Sequence, residues 1–270
     1  MRVKKRGVGS GLFLVLVLVL MYLPIIVTVI YSFNANQSRF TFNFTGFSLQ
    51  HYRELFQDTK GLLAALVESL RLALYSCAIS AVIGTLGAVG MAKRKFRFSG
   101  ALEVTALLPA MTPEIILAMG FLVVFTATGL PFGMLTLTLA HVTFCVPYIF
   151  IVVKGRLAGM DPELPNAARD LGASPSRAFA TVTLPLIMPG VISGTLLAFA
   201  MSMDDFVISF FLTGPGTTTL PVKIYSSVRM GVSLQVNALS TLMLATVFLA
   251  TALSRLVRRK RILKSGGYLE

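Results

Sequence analysis

Long apolar runs alternate with short polar connections along the whole chain. Six of these runs are long enough to cross the hydrocarbon core of a bilayer as helices, which takes about 20 apolar residues each. They cover residues 11–33, 68–92, 101–125, 131–153, 186–212 and 236–257. Pro109, Pro113 and Pro147 interrupt two of them, and lipid-embedded helices tolerate such breaks when neighbouring groups satisfy the freed backbone atoms. The pattern predicts an all-α, polytopic membrane protein whose six kinked spans form a single transmembrane domain over residues 1–270.

Composition supports a membrane protein. The chain has 270 residues, of which 55% are hydrophobic and 13% are charged, and this proportion is poorly suited to a soluble globular domain. Its formal net charge of +13 would suggest nucleic acid binding in a soluble protein, but here Lys and Arg cluster between the apolar runs. We therefore expect no nucleic acid partner and interpret the charge as a signal of topology.

The basic clusters fall on alternate connections. They comprise residues 2–6, 93–97, 154–177 and 255–264, whereas the other connections hold only Arg39, Arg53, Lys60, Lys223 and Arg229. By the positive-inside rule the clustered side is cytoplasmic, so both termini are predicted in the cytoplasm and the number of spans is even. The first run is long for a signal peptide and no clear small-residue cleavage site follows it, so we expect a retained anchor.

The fourth connection, residues 154–185, is polar but has the composition of folded helices. Its helix signals are two capping residues that each precede a proline, Asp161-Pro162 and Ser174-Pro175, and a stop signal at Gly172. Two short helices joined at Gly172 would form a rigid projection. The small side chains of Ala167 and Ala168 would let another protein approach its backbone closely. On the residues alone, a capped loop without a partner is an equally good interpretation.

A motif within this connection resembles the EAA motif of ABC importer permeases, E-A-A-x(3)-G-x(9)-I-x-L-P. The residues that carry the resemblance are Asn166, Ala167, Ala168, Gly172, Leu184 and Pro185. It implies a type I permease fold in which residues 154–185 hold a coupling helix that docks on an ATPase subunit. Asn166 replaces the glutamate of the motif and Val182 its isoleucine, so a salt bridge from the first position is not implied.

Three further segments resemble the second permease subunit of spermidine/putrescine ABC transporters: residues 141–145, 202–205 and 212–216. This resemblance implies a polyamine importer in a bacterial plasma (inner) membrane. Its other parts would be a second permease subunit, two ATPase subunits and an extracytoplasmic substrate-binding protein. The chain lacks the string G-x-x-x-x-G-K-[ST] that cradles phosphates, so ATP and Mg are expected on the partner subunits. We expect a transport subunit that is not an enzyme and binds no cofactor.

Glu114, Asp204 and Asp205 are the candidate residues of a substrate path. An ionised acid near the bilayer centre costs about 2.5–3.5 kcal/mol, so it is expected to face a cavity or a partner, where a cationic substrate would meet it. Asp205 falls on a helical stripe of small and polar residues with Gly194, Ala198, Ser202 and Ser209. We expect Asp205 to face the bundle interior and Asp204 to flank the stripe. In the alternative, each acid pairs with a basic or backbone group and never touches substrate.

Other polar and aromatic residues in the runs carry weaker signals. Tyr148 and Phe206 are candidates for cation–π contacts with an amine. Cys77, Cys145 and His141 have no spacing typical of a metal site. We therefore expect no metal site, and we interpret the two cysteines as packing residues and His141 as a hydrogen-bonded one.

Other cargoes and other mechanisms fit the same apolar pattern. Related ABC permeases carry solutes such as ferric iron or an organophosphonate. A secondary transporter would work without ATP, although the chain shows no internal repeat of the kind common in those folds. An intramembrane hydrolase would need a nucleophile and a base, and no G-x-S-x-G string lies near His141.

Overall fold

Every regular element of the described chain is a helix. The computed structural model describes residues 8–38, 43–58, 61–93, 97–231 and 233–265. The helices are α1 (Val8–Ser32), α2 (Gln50–Gln57), α3 (Leu62–Lys93), α4 (Ser99–Met111), α5 (Glu114–Ala127), α6 (Met134–Ala158), α7 (Glu163–Asp170), α8 (Pro175–Ala178), a π-helical turn (Phe179–Thr183), α9 (Leu184–Asp204), α10 (Val207–Leu212), α11 (Leu220–Arg229) and α12 (Leu234–Ser265). The predicted all-α class is confirmed.

Five stretches of helix within the described ranges are long and apolar enough to cross a membrane singly: Gly11–Ser32, Leu62–Ala92, Met134–Ala158, Pro175–Asp204 and Leu234–Leu256. A sixth stretch is the pair α4 and α5, which passes the same test together but bends by 103° at its break. The expected six apolar segments are therefore present, the sixth as a broken pair.

The break between α4 and α5 divides the predicted kinked third span over 101–125 into two helices. Thr112 is extended, with ψ of 134°, because the ring of Pro113 disfavours a helical conformation in the residue before it. Pro113 also has no N–H to continue the helical ladder. A sharp corner results where the sequence predicted a kink.

The segment of the fifth predicted span, residues 186–212, is also not one continuous helix. Helix α9 ends at Asp204, Asp205 is extended with ψ of 118°, and α10 restarts at Val207. The Asp205 carboxylate accepts hydrogen bonds from the backbone N–H groups of Ile208 and Ser209. An aspartate side chain that caps a new helix competes with continuation of the old one, so the predicted stripe does not run on regularly to Ser209.

Two compact units divide the chain. The first comprises residues 1–63 and 224–270, and the second comprises residues 64–223. In the first unit α1 and α2 pack against α12. Buried His51 contacts the Asn36 carbonyl through Nε2 (3.0 Å) and Glu54 through Nδ1 (3.1 Å), and Gln235 of α12 donates to Glu54. His51 therefore helps join α2 to its neighbours, a role that was not predicted.

In the second unit, α6 and α9 pack antiparallel through small residues. A Cβ atom on Gly190 would lie 2.9 Å from Arg156 Cβ, and one on Gly194 would lie 3.1 Å from Ile149 Cα. Farther along, the Cys145 thiol donates to the Ala198 carbonyl. Small residues allow membrane helices this close approach. Gly194 and Ala198, two residues of the predicted stripe, therefore face α6, and Cys145 is a packing residue as expected.

Gly194 offers a test of this contact. We expect Gly194→Ala to destabilise the second unit by about 1–3 kcal/mol, the usual effect of overpacking a filled contact. Gly120→Ala on α5 is the matched control, because its Cβ would meet nothing within 4 Å and helical Gly→Ala alone stabilises by about 0.5–1 kcal/mol. Thermal unfolding in detergent measures both variants. Equal shifts of the two melting temperatures would contradict the close contact at Gly194.

The predicted orientation of the termini is not tested by this fold. Residues 2–6, 94–95 and 266–270, together with Arg39 and Lys60, lie outside the described residues. The same holds for the side chains of Lys93 and of the basic residues after Leu256. The cytoplasmic placement of both ends stays a prediction.

Candidate functional site

A cavity of about 290 Å³ lies at the corner between α4 and α5, in the second unit. Its walls include Glu114, Tyr148 and Asp205, with apolar surface from Phe144 and Met201. Two of the three acids predicted along a substrate path thus line one cavity, although they are 91 positions apart in the numbering of the chain. We call this the acidic cavity.

Glu114 is the first residue of α5 and follows the break directly. Its side chain is exposed, and it forms no ion pair with any residue that the structure describes. A carboxylate is favourable in the first turn of a helix, where the macrodipole is positive. The corner therefore presents an uncompensated acid to the cavity.

Asp205 is the second acid, and it is almost completely buried, with 7% of its surface exposed. Its carboxylate accepts from Ser209 N at 2.8 Å and from Ile208 N at 3.2 Å. The His141 Nε2 atom is 3.4 Å away. Asp205 thus faces the interior, as its place on the stripe predicts, and it also has histidine and backbone partners within its own chain.

His141 is fully buried on α6, and its hydrogen bonds match the role predicted for it. Its Nδ1 atom is 2.9 Å from Ser202 Oγ, and its Nε2 atom is 3.4 Å from Ser209 Oγ. Its contact with Asp205 was not predicted. The two residues belong to different helices and are 64 positions apart, so no local spacing rule joins them.

Ser202, His141 and Asp205 have the residue types of a hydrolytic triad, but their setting does not support one. Ser202 is buried and does not line the acidic cavity. A nucleophile must reach the carbonyl that it attacks, and this hydroxyl has no such access. The three residues are better explained as a buried polar network.

Asp204 and Phe206 lie outside the lining of the acidic cavity. Asp204 is exposed at the last position of α9, where the negative end of the helix dipole disfavours a carboxylate. The Phe206 ring lies 5.4 Å from that of Phe210. Of the aromatic candidates, only Tyr148 shares the cavity with the acids.

The connection between α6 and α9 forms the two short helices that its capping signals predict. Asp161 Oδ1 accepts from Glu163 N at the start of α7, and Ser174 Oγ accepts from Arg177 N at the start of α8. Gly172 separates them with φ of +88°, a left-handed conformation that glycine adopts without steric cost. The π-helical turn before α9 was not predicted.

The motif residues of this connection are mostly at the surface. Asn166, Ala167, Gly172 and Pro185 are exposed, and Ala168 and Leu184 are half-buried. Leu171, beside Gly172, has 90% of its surface exposed, so a large apolar side chain lies at the surface of this connection. Leu171 was not among the predicted residues, although its place directly before Gly172 was a usable signal. Asn166 also lines a cavity of about 560 Å³ with Arg169 and Thr183.

Residues 80–262 match the protein family described as "Binding-protein-dependent transport system inner membrane component". The chain belongs to this family. As a family member it is a multi-pass membrane component of a transport system, and it is not an enzyme. This excludes the hydrolase interpretation on grounds independent of the buried serine.

Two relatives of the chain have names that state a cargo. The putrescine transport system permease protein PotI of Escherichia coli strain K12 is 42% identical over 228 residues, covering 80% of this chain and 81% of that protein. The spermidine/putrescine transport system permease protein PotC of the same strain is 38% identical over 222 residues, covering 82% and 84%. Both are similar to this chain over most of its length.

Solved transporters share the fold. The chain resembles a bacterial ABC transporter involved in the import of the acidic polysaccharide alginate, with a TM-score of 0.71 at 13% identity over 96% of this chain and 99% of that one. It also resembles the MetNI methionine ABC transporter, with a TM-score of 0.59 at 19% identity over 73% and 95%. The expected ABC importer permease fold is confirmed. Because folds of this kind carry different cargoes, the cargo must be argued from the site.

Proposed function

We propose that the chain is a permease subunit of an ATP-driven importer and forms, with a second permease subunit, the translocation path for polyamines such as putrescine and spermidine. The acidic cavity is the observation that carries the proposal. It places Glu114 and Asp205 together with an aromatic ring, in a chain whose relatives include permeases named for putrescine and spermidine.

The chemistry of the cavity suits an aliphatic amine. The carboxylates of Glu114 and Asp205 attract an ammonium group, and such attraction is stronger in a site from which water is largely excluded. Tyr148 can add a cation–π contact of about 0.5–2 kcal/mol. Phe144 and Met201 offer apolar surface to the methylene chain. A site with these parts favours a small organic cation over an anion.

We further propose that residues 154–185 face the cytoplasm and dock on an ATPase subunit. The support is the motif at Asn166–Gly172, the open surface at Gly172 and the exposed Leu171. The importer would then hold two ATPase subunits that bind ATP and Mg, and an extracytoplasmic substrate-binding protein. Closure of the ATPase pair would move α7 and α8, and this motion would tilt the membrane-spanning helices.

The proposed orientation has a structural condition. Both termini lie in the cytoplasm only if α4 and α5 together cross the bilayer as one broken span, because that makes six crossings. The test places single cysteines at the two ends and between α6 and α7, in a variant without Cys77 and Cys145. Labelling of these cysteines in intact cells shows on which side of the membrane each of them lies. Opposite labelling of the two ends would contradict the orientation.

The ligand of the cognate binding protein tests the cargo. We expect the purified binding protein to retain a polyamine, and vesicles that hold the full importer to take it up only when ATP is supplied to the ATPase side. If the binding protein instead retains ferric iron, an organophosphonate or another solute, that solute and not a polyamine is the cargo. Uptake by this chain alone along an ion gradient, without ATP, would overturn the importer mechanism.

Glu114→Gln tests the acidic cavity itself. We expect the apparent KM for putrescine uptake to rise by about tenfold or more, because a hydrogen bond to a charged group contributes about 1.5–3 kcal/mol and 1.4 kcal/mol corresponds to a factor of ten. Asp204→Asn is the comparison variant, since Asp204 is exposed and outside the cavity lining. A larger rise in KM for Asp204→Asn than for Glu114→Gln would show that the charge that recognises the amine lies outside this cavity.

A further inference from the structure

A connected network of buried polar side chains lies behind the acidic cavity. His141 is at its centre, 2.9 Å from Ser202 Oγ through Nδ1. Through Nε2 it is 3.4 Å from Asp205 Oδ2 and 3.4 Å from Ser209 Oγ. Ser202 Oγ is in turn 3.4 Å from Ser76 Oγ on α3. The network joins the Asp205 carboxylate to α3 and α6.

The hydrogen bonds of the network place a ring hydrogen of His141 toward Asp205. The Ser76 hydroxyl donates to the Leu72 carbonyl at 2.8 Å, so its oxygen can only accept from Ser202. The single hydroxyl hydrogen of Ser202 can be directed to Ser76 Oγ or to His141 Nδ1. A carboxylate can only accept, so the Nε2 atom that faces Asp205 is the donor of this contact.

A donor at this place has a specific consequence for the cavity. The Nε2–H group of His141 orients the Asp205 carboxylate, which lines the cavity. The two backbone N–H groups of Ile208 and Ser209 do the same from the other side of the helix break.

We propose that His141 is a positioning residue for substrate: held by Ser202, it orients the Asp205 carboxylate at the α9–α10 break so that this carboxylate lines the acidic cavity and can bind an ammonium group. This inference rests on the proposed function, because it assigns a cation to the cavity. His141 does not line the cavity, so it acts on substrate only through Asp205.

Two amide variants separate the two ends of the imidazole ring. The amide nitrogen of glutamine reaches about as far as Nε2, so His141→Gln keeps a donor toward Asp205 and loses the Ser202 contact. The amide of asparagine reaches only as far as Nδ1, so His141→Asn keeps the Ser202 contact and loses the donor. Each variant loses one contact of the network, and only one of them affects the carboxylate.

The assay is ATP-dependent putrescine uptake by the assembled importer in vesicles, with melting temperature and subunit co-purification as measures of integrity. We expect His141→Gln to keep a KM near the wild-type value. We expect His141→Asn to raise KM about tenfold, the effect of one hydrogen bond to a charged group, with little change in maximal uptake and in melting temperature.

Each other result has a defined meaning. Equal KM increases in both variants, or increases that follow the melting temperature, would assign His141 to packing alone and overturn the proposal. A larger KM increase in His141→Gln than in His141→Asn would also overturn it, because the Ser202 contact and not the donor toward Asp205 would then govern uptake. Absence of wild-type putrescine uptake, with ATP hydrolysis and assembly intact, would overturn the proposed function and the inference with it.

Discussion

We expect Asp205→Asn to reduce polyamine uptake by about 10- to 100-fold while the importer still assembles. The substitution removes the negative charge that would contact the amine, and a hydrogen bond to a charged group contributes about 1.5–3 kcal/mol. The asparagine keeps one carbonyl oxygen, which can still accept from Ser209 N at the start of α10. Uptake assays in vesicles and co-purification with the ATPase subunits measure the two effects separately.

A second substitution at this position separates charge from capping. Asp205→Ala leaves the N–H groups of Ile208 and Ser209 and the Nε2 atom of His141 without the acceptor that they share. Each buried polar group left unpaired costs about 1–3 kcal/mol, so this variant should lose thermal stability as well as uptake. Wild-type uptake by Asp205→Asn would show that Asp205 serves the fold and not the substrate.

Gly172→Phe is expected to release the ATPase from the permease. Gly172 is exposed with φ of +88°, and a Cβ atom there would meet nothing within 4 Å of its own chain. A large side chain is therefore tolerated by the permease alone but would stand between it and a closely docked partner. We expect co-purification of the ATPase to fall below about a tenth of the wild-type amount, as a lost interaction of 1.4 kcal/mol or more predicts.

Gly172→Ala is the matched control. A non-glycine residue in the left-handed region is disfavoured by about 1–2 kcal/mol, so both variants share the strain and only phenylalanine adds bulk. Alanine should retain most of the ATPase. If the phenylalanine variant co-purifies and transports like the wild type, the segment between α6 and α9 is not the docking surface. If alanine fails equally, the backbone conformation of Gly172 matters more than the space beside it.

The apolar segments and the two capped helices could be predicted from the sequence because each depends on local physics. A run of about 20 apolar residues is sufficient to indicate a span, and an Asp or Ser before a proline marks a helix start wherever it occurs. The ends of the helices were less predictable. The helix α3 begins at Leu62, ahead of the predicted residue 68, and so includes the residues from Leu62 to Val67.

The two helix breaks illustrate what local patterns miss. Pro113 marked the first break, but a proline predicts a kink and not its angle of 103°. The second break contains neither proline nor glycine. Asp205 before an apolar stretch is an N-cap signal, and it was overlooked because hydropathy remains high on both sides of it.

The candidate site was predictable in its residues but not in its contacts. The cost of a buried charge selected Glu114, Asp204 and Asp205 from the sequence, since so few acids occur in the apolar runs. Which of them share a cavity depends on the corner at Thr112–Pro113 and on the packing of α6 against α9. The pairing of His141 with Asp205 follows from that packing and has no signature in sequence spacing.

The π-helical turn at Phe179–Thr183 sets the angular phase of α9. A π-helical turn contains one residue more than the α-helical turn that it replaces, and each residue of a helix accounts for about 100° of rotation. Removing one residue there would turn the glycine face of α9 away from α6 by about that angle. The close fit of Gly190 and Gly194 against α6 therefore depends on an insertion seven residues or more before them.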